Sequence, residues 1–64
     1  MMNKDEDIIN TAIAKAEMLY MYINGEELPI VPLKFENGLL EYFCWGNKYV
    51  TNILDASFSY FEEQ

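Results

Sequence analysis

The side chains that could carry chemistry in this sequence are carboxylates and a single thiol. The run Asp5-Glu6-Asp7 offers the oxygen ligands that Mg²⁺ and Ca²⁺ prefer. No glycine follows at loop spacing and no distal glutamate completes a calcium-binding loop. Acidic residues also stabilise the first turn of a helix, because the N-terminal end of the helix dipole is positive. We therefore expect these residues to begin a helix, and we expect no metal site.

The remaining candidates for catalysis also lack the surroundings that a reaction needs. Glu26-Glu27 is an adjacent acid pair, whereas catalytic carboxylate pairs require a cleft and two different environments. A nucleophilic cysteine needs a nearby base or cation to form its thiolate, and the sequence contains no histidine. Cys44 is therefore predicted to be a small buried residue. We expect no catalytic residue, no cofactor and no enzymatic activity.

Charge and composition narrow the choice of partner. The 64 residues include 4 lysines, no arginine, no histidine and 11 acidic residues, for a net charge of −7. Nucleic-acid binding requires cations that displace phosphate counterions, so direct binding of nucleic acid is not expected. With one cysteine the chain cannot form an internal disulfide or a thiolate zinc site.

Size and hydrophobicity together predict self-association. The chain is 52% hydrophobic, yet a single domain of 64 residues buries only about 60% of the surface that its unfolded chain exposes. Small domains compensate with disulfides, metals or oligomerisation, and only the last remains open here. We therefore expect residues 1–64 to form one domain and a homodimer. The sequence has neither an apolar run of membrane-spanning length nor an apolar signal core at residues 1–7, so a cytoplasmic protein is expected.

The hydrophobic pattern predicts a helix over residues 5–23, with Asn3 as its N-cap and Asn24-Gly25 as its stop signal. Its apolar residues fall on one arc of a helical wheel. A second apolar stripe on the opposite side contains Met18, Met21 and Tyr22. This stripe is either covered by the rest of the chain or serves as a contact surface, for which Met and Tyr are well suited.

Asn37-Gly38 predicts a two-residue hairpin turn. That register pairs Glu36 with Leu39, Lys34 with Glu41 and Leu33 with Tyr42. Pro29 and Pro32 indicate an edge strand or an irregular start to the strand, since proline cannot donate to a central ladder. The predicted core face contains Val31, Leu33, Phe35, Leu40, Tyr42 and Cys44. The predicted opposite face contains Pro32, Lys34, Glu36, Leu39, Glu41, Phe43 and Trp45, and Trp45 is either a lid on the core or an interface anchor.

The segment after Gly46 supports two interpretations, and the choice decides the fold. Apolar residues between Lys48 and Phe61 occupy one half of a helical wheel, which predicts a second helix. Gly46-Asn47 could instead be a turn into a strand from Lys48 to Leu54, as the β-branched and aromatic residues favour. We expect a small α+β domain of order helix–hairpin–helix (αββα), with αβββ(α) as the alternative.

Two functions fit this profile. The first is an acidic inhibitor that occupies a basic surface of a nucleic-acid-processing host or defence enzyme, its carboxylates replacing phosphates. In size, acidity and lack of catalytic residues the chain resembles the small inhibitors that phages make, anti-CRISPR proteins among them. The second is a homo-oligomeric adaptor or structural module whose acidity only keeps it soluble. The candidate partner-binding residues are Met18, Met21, Tyr22, Phe43, Trp45, Glu17, Glu26, Glu27, Glu36 and Glu41.

Overall fold

One helix and five antiparallel strands make up the protein. The structure is a computed structural model that describes residues 4–61; the predicted cap Asn3 lies outside them. The elements are α1 (Lys4–Lys15), β1 (Leu19–Ile23), β2 (Glu26–Glu36), β3 (Leu39–Cys44), β4 (Asn47–Asn52), a 3-10 turn (Ile53–Asp55) and β5 (Ser57–Tyr60). The α+β class and the helix-first order are as expected, but the αββα arrangement is wrong.

Strand β2 joins two small sheets. The strand order is β4-β3-β2-β1-β5. Residues 26–30 of β2 pair with β1, and residues 31–36 pair with β3, with a bulge between Pro32 and Lys34. Each half of β2 thus has a neighbour on one side only. Pro29 and Pro32 can therefore lie in the middle strand of the order rather than in the predicted edge strand, because a proline nitrogen that faces the unpaired side of β2 needs no N–H to donate.

The sheet must curl strongly. In a flat sheet the edge strands β4 and β5 would be four spacings of about 4.8 Å apart, about 19 Å. Four residues connect Asn52 to Ser57, and a fully extended chain of that length spans at most about 18 Å. Three of the four residues form a 3-10 turn, which rises only about 2 Å per residue. The 3-10 turn is held by a bond from the Ile53 N–H to the Gly38 carbonyl, 3.1 Å. The two edges are therefore brought towards each other.

The core lies between α1 and the curled sheet. Helix α1 packs against β2 and β5, and its buried residues are Ile8, Ile9 and Ala12. The sheet and the 3-10 turn contribute Leu19, Met21, Ile30, Leu40, Tyr42, Cys44, Ile53 and Phe58. Cys44 is buried as predicted. No charged side chain of residues 4–61 is buried, so the acidic residues all remain at or near the surface.

The predicted helix over residues 5–23 is correct only as far as Lys15. Ala16 takes a left-handed conformation with φ 55°, and the Glu17 N–H bonds the Ala12 carbonyl at 2.9 Å, which closes the helix. Residues 19–23 then form β1. The sequence Leu-Tyr-Met-Tyr-Ile fits a period of two as well as one turn of helix. The following Asn24-Gly25 is a hairpin turn that pairs it with β2, and not a helix stop.

The second predicted helix, over residues 48–61, does not form. The alternative with a strand after Gly46 comes closer, since β4 covers Asn47–Asn52. Of the apolar residues on that predicted helix face, Ile53 in the 3-10 turn and Phe58 in β5 are buried. Tyr49, Val50 and Leu54, placed on the apolar side of that helix, are exposed instead.

The hairpin at Asn37-Gly38 is confirmed, including the Glu36–Leu39 and Lys34–Glu41 pairs. The predicted pairing of Leu33 with Tyr42 is wrong, because the bulge moves Pro32 opposite Tyr42. One extra residue reverses every side chain beyond it. Val31 and Leu33 are therefore exposed, and Pro32 is buried in the face that was assigned to them.

Candidate protein-binding site

Three tight turns join the first four strands, and one of them contains a tryptophan. Asn24-Gly25, Asn37-Gly38 and Trp45-Gly46 all place two successive residues at positive φ, near 50° and near 80°. Asparagine and glycine are favoured in this turn because they tolerate left-handed backbone. Trp45, at φ 52°, is a bulky residue at the position that asparagine occupies in the other two turns. Local backbone preference therefore does not explain the tryptophan.

Trp45 lies at the mouth of a small apolar groove, which we call the Trp45 groove. Trp45 is 76% exposed, so it is not a lid on the core. The groove has a volume of about 180 Å³ and is lined by Met21, Ile23, Leu28, Tyr42, Cys44, Trp45 and Tyr49. A volume of this size admits one or two apolar side chains rather than a cofactor.

The floor of the groove is buried, whereas its aromatic walls are exposed. Met21, Tyr42 and Cys44 are buried in the core. The Tyr42 hydroxyl and the Thr51 Oγ1 are 2.7 Å apart, which fixes the tyrosine ring. The Tyr49 ring packs against Tyr42 with centroids 5.8 Å apart, yet 47% of Tyr49 is exposed. A packed floor beside exposed aromatic walls is a prearranged site for an apolar side chain.

The β1–β2 hairpin carries two glutamates, one of them on the face of the groove. Glu26 is the cross-strand partner of Ile23, which lines the groove, whereas Glu27 is the partner of Tyr22, and both lie on the opposite face of the sheet. Both glutamates are exposed. Neither forms an ion pair within residues 4–61. The apolar groove therefore has negative charge at its rim.

The structure separates the other predicted contact residues into different places. Phe43, Glu36 and Glu41 lie on the outer face of β3 and the second half of β2, where two ion pairs form: Lys34 Nζ to Glu36 Oε1 at 3.4 Å and Lys48 Nζ to Glu41 Oε1 at 3.7 Å. Exposed pairs of this kind contribute little stability but cancel local charge.

Met18 and Glu17 lie elsewhere, with Thr11, Lys15, Tyr60 and Phe61, around a shallow groove of about 680 Å³ beside the C-terminal end of α1. A second shallow groove of about 720 Å³ runs between the first half of α1 and β5. The expectation that Met21 belongs to the contact surface with Met18 is wrong, because Met21 is 1% exposed and faces the core from β1.

Sequence reasoning missed Tyr49 and Val50 as surface residues. Both belong to β4, whose residues are exposed on both faces apart from the half-buried Thr51. The Gly46 turn signal and the β-branched composition could have indicated this strand, but the helical spacing of the same residues outweighed them.

Within residues 4–61, no helix combines the length and the apolar character needed to cross a membrane. Over the same range, no cluster of His, Cys, Asp and Glu side chains could hold a metal ion. Comparison with protein-family models, with curated proteins and with solved structures finds no match for this chain.

Proposed function

We propose that this protein is an acidic inhibitor that binds a basic surface of a nucleic-acid-processing enzyme, with Trp45 as its anchor. The observation that supports the proposal most directly is the strained and exposed position of Trp45. Its backbone is in the left-handed region and its ring is mostly in water, so the residue adds little to the stability of the fold. Strained and exposed positions of this kind cluster at binding sites, and tryptophan dominates binding hot spots.

Charge supports the choice of a cationic partner. The net charge of −7 attracts a basic surface over long range, and it raises the association rate at low salt. Beside the groove, Glu26 is available to pair with lysine or arginine from the partner. The partner chemistry that fits is an apolar side chain next to cationic residues, which is also the chemistry of a nucleic-acid-binding cleft. The carboxylates would then occupy phosphate positions.

The test is capture followed by inhibition. The protein is immobilised and exposed to nuclease-treated bacterial lysate at about 0.05 M and about 0.5 M ionic strength. We expect a basic nucleic-acid-processing enzyme to be retained at low salt and released at high salt, and its activity to be inhibited by the free protein. Trp45→Asn should reduce inhibition at least about tenfold, since a hot-spot side chain contributes about 2 kcal/mol or more. The variant Glu26→Lys should reduce it mainly at low salt.

Leu54→Ala is the matched control. Leu54 is 80% exposed but lies in the 3-10 turn beyond β4, away from the residues that line the groove. Inhibition should be unchanged in this variant. Capture without inhibition, or equal inhibition by wild type and Trp45→Asn, would contradict the proposal.

A further inference from the structure

Strand β4 is an open edge of the sheet. Among the described residues it pairs only with β3. It contains one lysine, no proline and no bulge, although open edges are usually blocked by such features. Tyr49 and Val50 point to opposite faces and are both largely exposed, Val50 to 58%. The backbone edge of β4 is therefore available to another strand, and side chains on both of its faces are exposed.

The hydrogen-bond phase of β4 follows from its turn. A two-residue turn closes with a bond between the residues that flank it, here Cys44 and Asn47, and hydrogen-bonded pairs then alternate along an antiparallel ladder. Tyr49 and Thr51 therefore bond to β3. Ile53, two residues beyond Thr51, also bonds towards this side, because its N–H donates to the Gly38 carbonyl. The alternation along β4 therefore continues to the end of the strand. The N–H and C=O groups of Lys48, Val50 and Asn52 consequently point away from β3.

These three residues determine the register in which a second copy can pair with β4 and use every outward backbone group. In an antiparallel pair of β4 strands around a two-fold axis, Val50 lies opposite Val50 of the other copy, and Lys48 lies opposite Asn52. All three outward residues then exchange both backbone bonds, six in total. Tyr49 lies next to Thr51 of the other copy on the groove side. No like charges face each other, so the strand is complementary to itself.

The distribution of charge also favours a second copy at this edge. Two chains of net charge −7 repel, so they can associate only where charge is locally cancelled. Strand β4 contains no carboxylate, and Lys48 is paired with Glu41 of β3. Lys34 and Glu36 are also paired on the same face. Asp55 follows β4 in the 3-10 turn, and the carboxylates of α1 and of the β1–β2 hairpin lie on other elements.

We propose that two copies of this chain join through their β4 strands, pairing Val50 with Val50 to form one continuous ten-stranded sheet. Pairing at β4 requires neither Trp45 nor a basic partner, so it stands or falls separately from the proposed inhibition. Salt distinguishes the two. Screening weakens the repulsion between like-charged copies, so salt should strengthen the dimer, whereas it should weaken binding to a basic partner.

The experiment combines solution mass with residue-specific hydrogen exchange. Sedimentation equilibrium over a wide concentration range should show a species of twice 7.5 kDa, favoured by higher protein concentration and by salt. In the dimer the amides of Lys48, Val50 and Asn52 should be protected from exchange, and their protection should fall on dilution. The amides of Tyr49 and Thr51 should be protected at all concentrations.

Val50→Pro provides the mutational test, because it removes an outward N–H while leaving the bonds to β3 intact. It should give a folded monomer, whereas Val50→Thr, which keeps the N–H and the branched shape, should remain a dimer. If Val50→Pro does not fold, the wild-type exchange pattern still decides. A monomer at every concentration would overturn the proposal. So would a dimer whose Lys48, Val50 and Asn52 amides exchange freely, or protection of these amides only when a different protein is added.

Discussion

Replacing Trp45 by asparagine should leave the fold as stable as before or stabilise it slightly. The left-handed backbone costs an ordinary residue about 1–2 kcal/mol, and asparagine avoids much of that cost. Trp45 is 76% exposed, so only about 60 Å² of the roughly 250 Å² of a tryptophan is hidden, worth at most about 1.5 kcal/mol at about 25 cal/mol per Å². The two contributions nearly cancel. We expect a change in the free energy of unfolding between about 0 and +1 kcal/mol.

The measurement is urea unfolding followed by far-ultraviolet circular dichroism, at one fixed protein concentration, since dimerisation would make stability depend on concentration. Trp45→Ala is the control, because it removes the ring but keeps the backbone strain. It should be about 0.5–1 kcal/mol less stable than Trp45→Asn. A loss of more than about 1.5 kcal/mol in Trp45→Asn would refute the reasoning, since a core tryptophan costs about 3–5 kcal/mol when truncated.

Three other substitutions test the fold. Ala16→Gly should stabilise the protein by about 0.5–1 kcal/mol, because glycine tolerates φ 55° at the end of α1; unchanged or lower stability in urea would argue against this helix end. Tyr42→Phe should cost about 0.5–1.5 kcal/mol through loss of the bond to Thr51, and a neutral result would mean that the bond is absent in solution. Leu40→Ala should cost about 2–5 kcal/mol, because Leu40 is fully buried; a thermal unfolding midpoint close to wild type would show that β3 does not face the core.

The Asn37-Gly38 hairpin and the first three turns of α1 could be predicted because several local signals agree there. Asn-Gly is the favoured residue pair for its turn, and the Lys34–Glu41 match supported the same register. In α1, the acidic first turn and the spacing of Ile8, Ile9 and Ala12 indicate the same helix.

Strand β1 could not be predicted from its own residues, because five apolar and aromatic residues fit a strand and a helix equally well. The strand is decided by the Asn24-Gly25 hairpin with β2 and by the pairing with β5, and the pairing with β5 is a long-range contact. The bulge at Pro32–Lys34 could not be predicted from local residues either. It lets β2 pass from one small sheet to the other, which no local pattern in the sequence specifies.

The Trp45-Gly46 turn escaped prediction because it contradicts a local rule. The preferred interpretation of the sequence is a helix after Gly46, and the alternative places a turn at Gly46-Asn47, since asparagine tolerates positive φ far better than tryptophan. Local rules are expected to fail at functional positions, where a residue is kept for what it binds rather than for the backbone it favours. The same residue that misled the turn assignment is therefore the best candidate for the binding anchor.

Trp45 is the only tryptophan in the chain, so its fluorescence tests the central claim directly. Panning a random peptide display library against the protein should enrich tryptophan-free peptides that carry an apolar residue beside lysine or arginine. The free protein should show the long-wavelength emission and acrylamide quenching of an indole in water. A saturating amount of such a peptide should shift the emission to shorter wavelength and protect it from quenching, less so at high salt. Short-wavelength emission from the free monomer, or unchanged emission when calorimetry shows the peptide bound, would contradict Trp45 as the anchor.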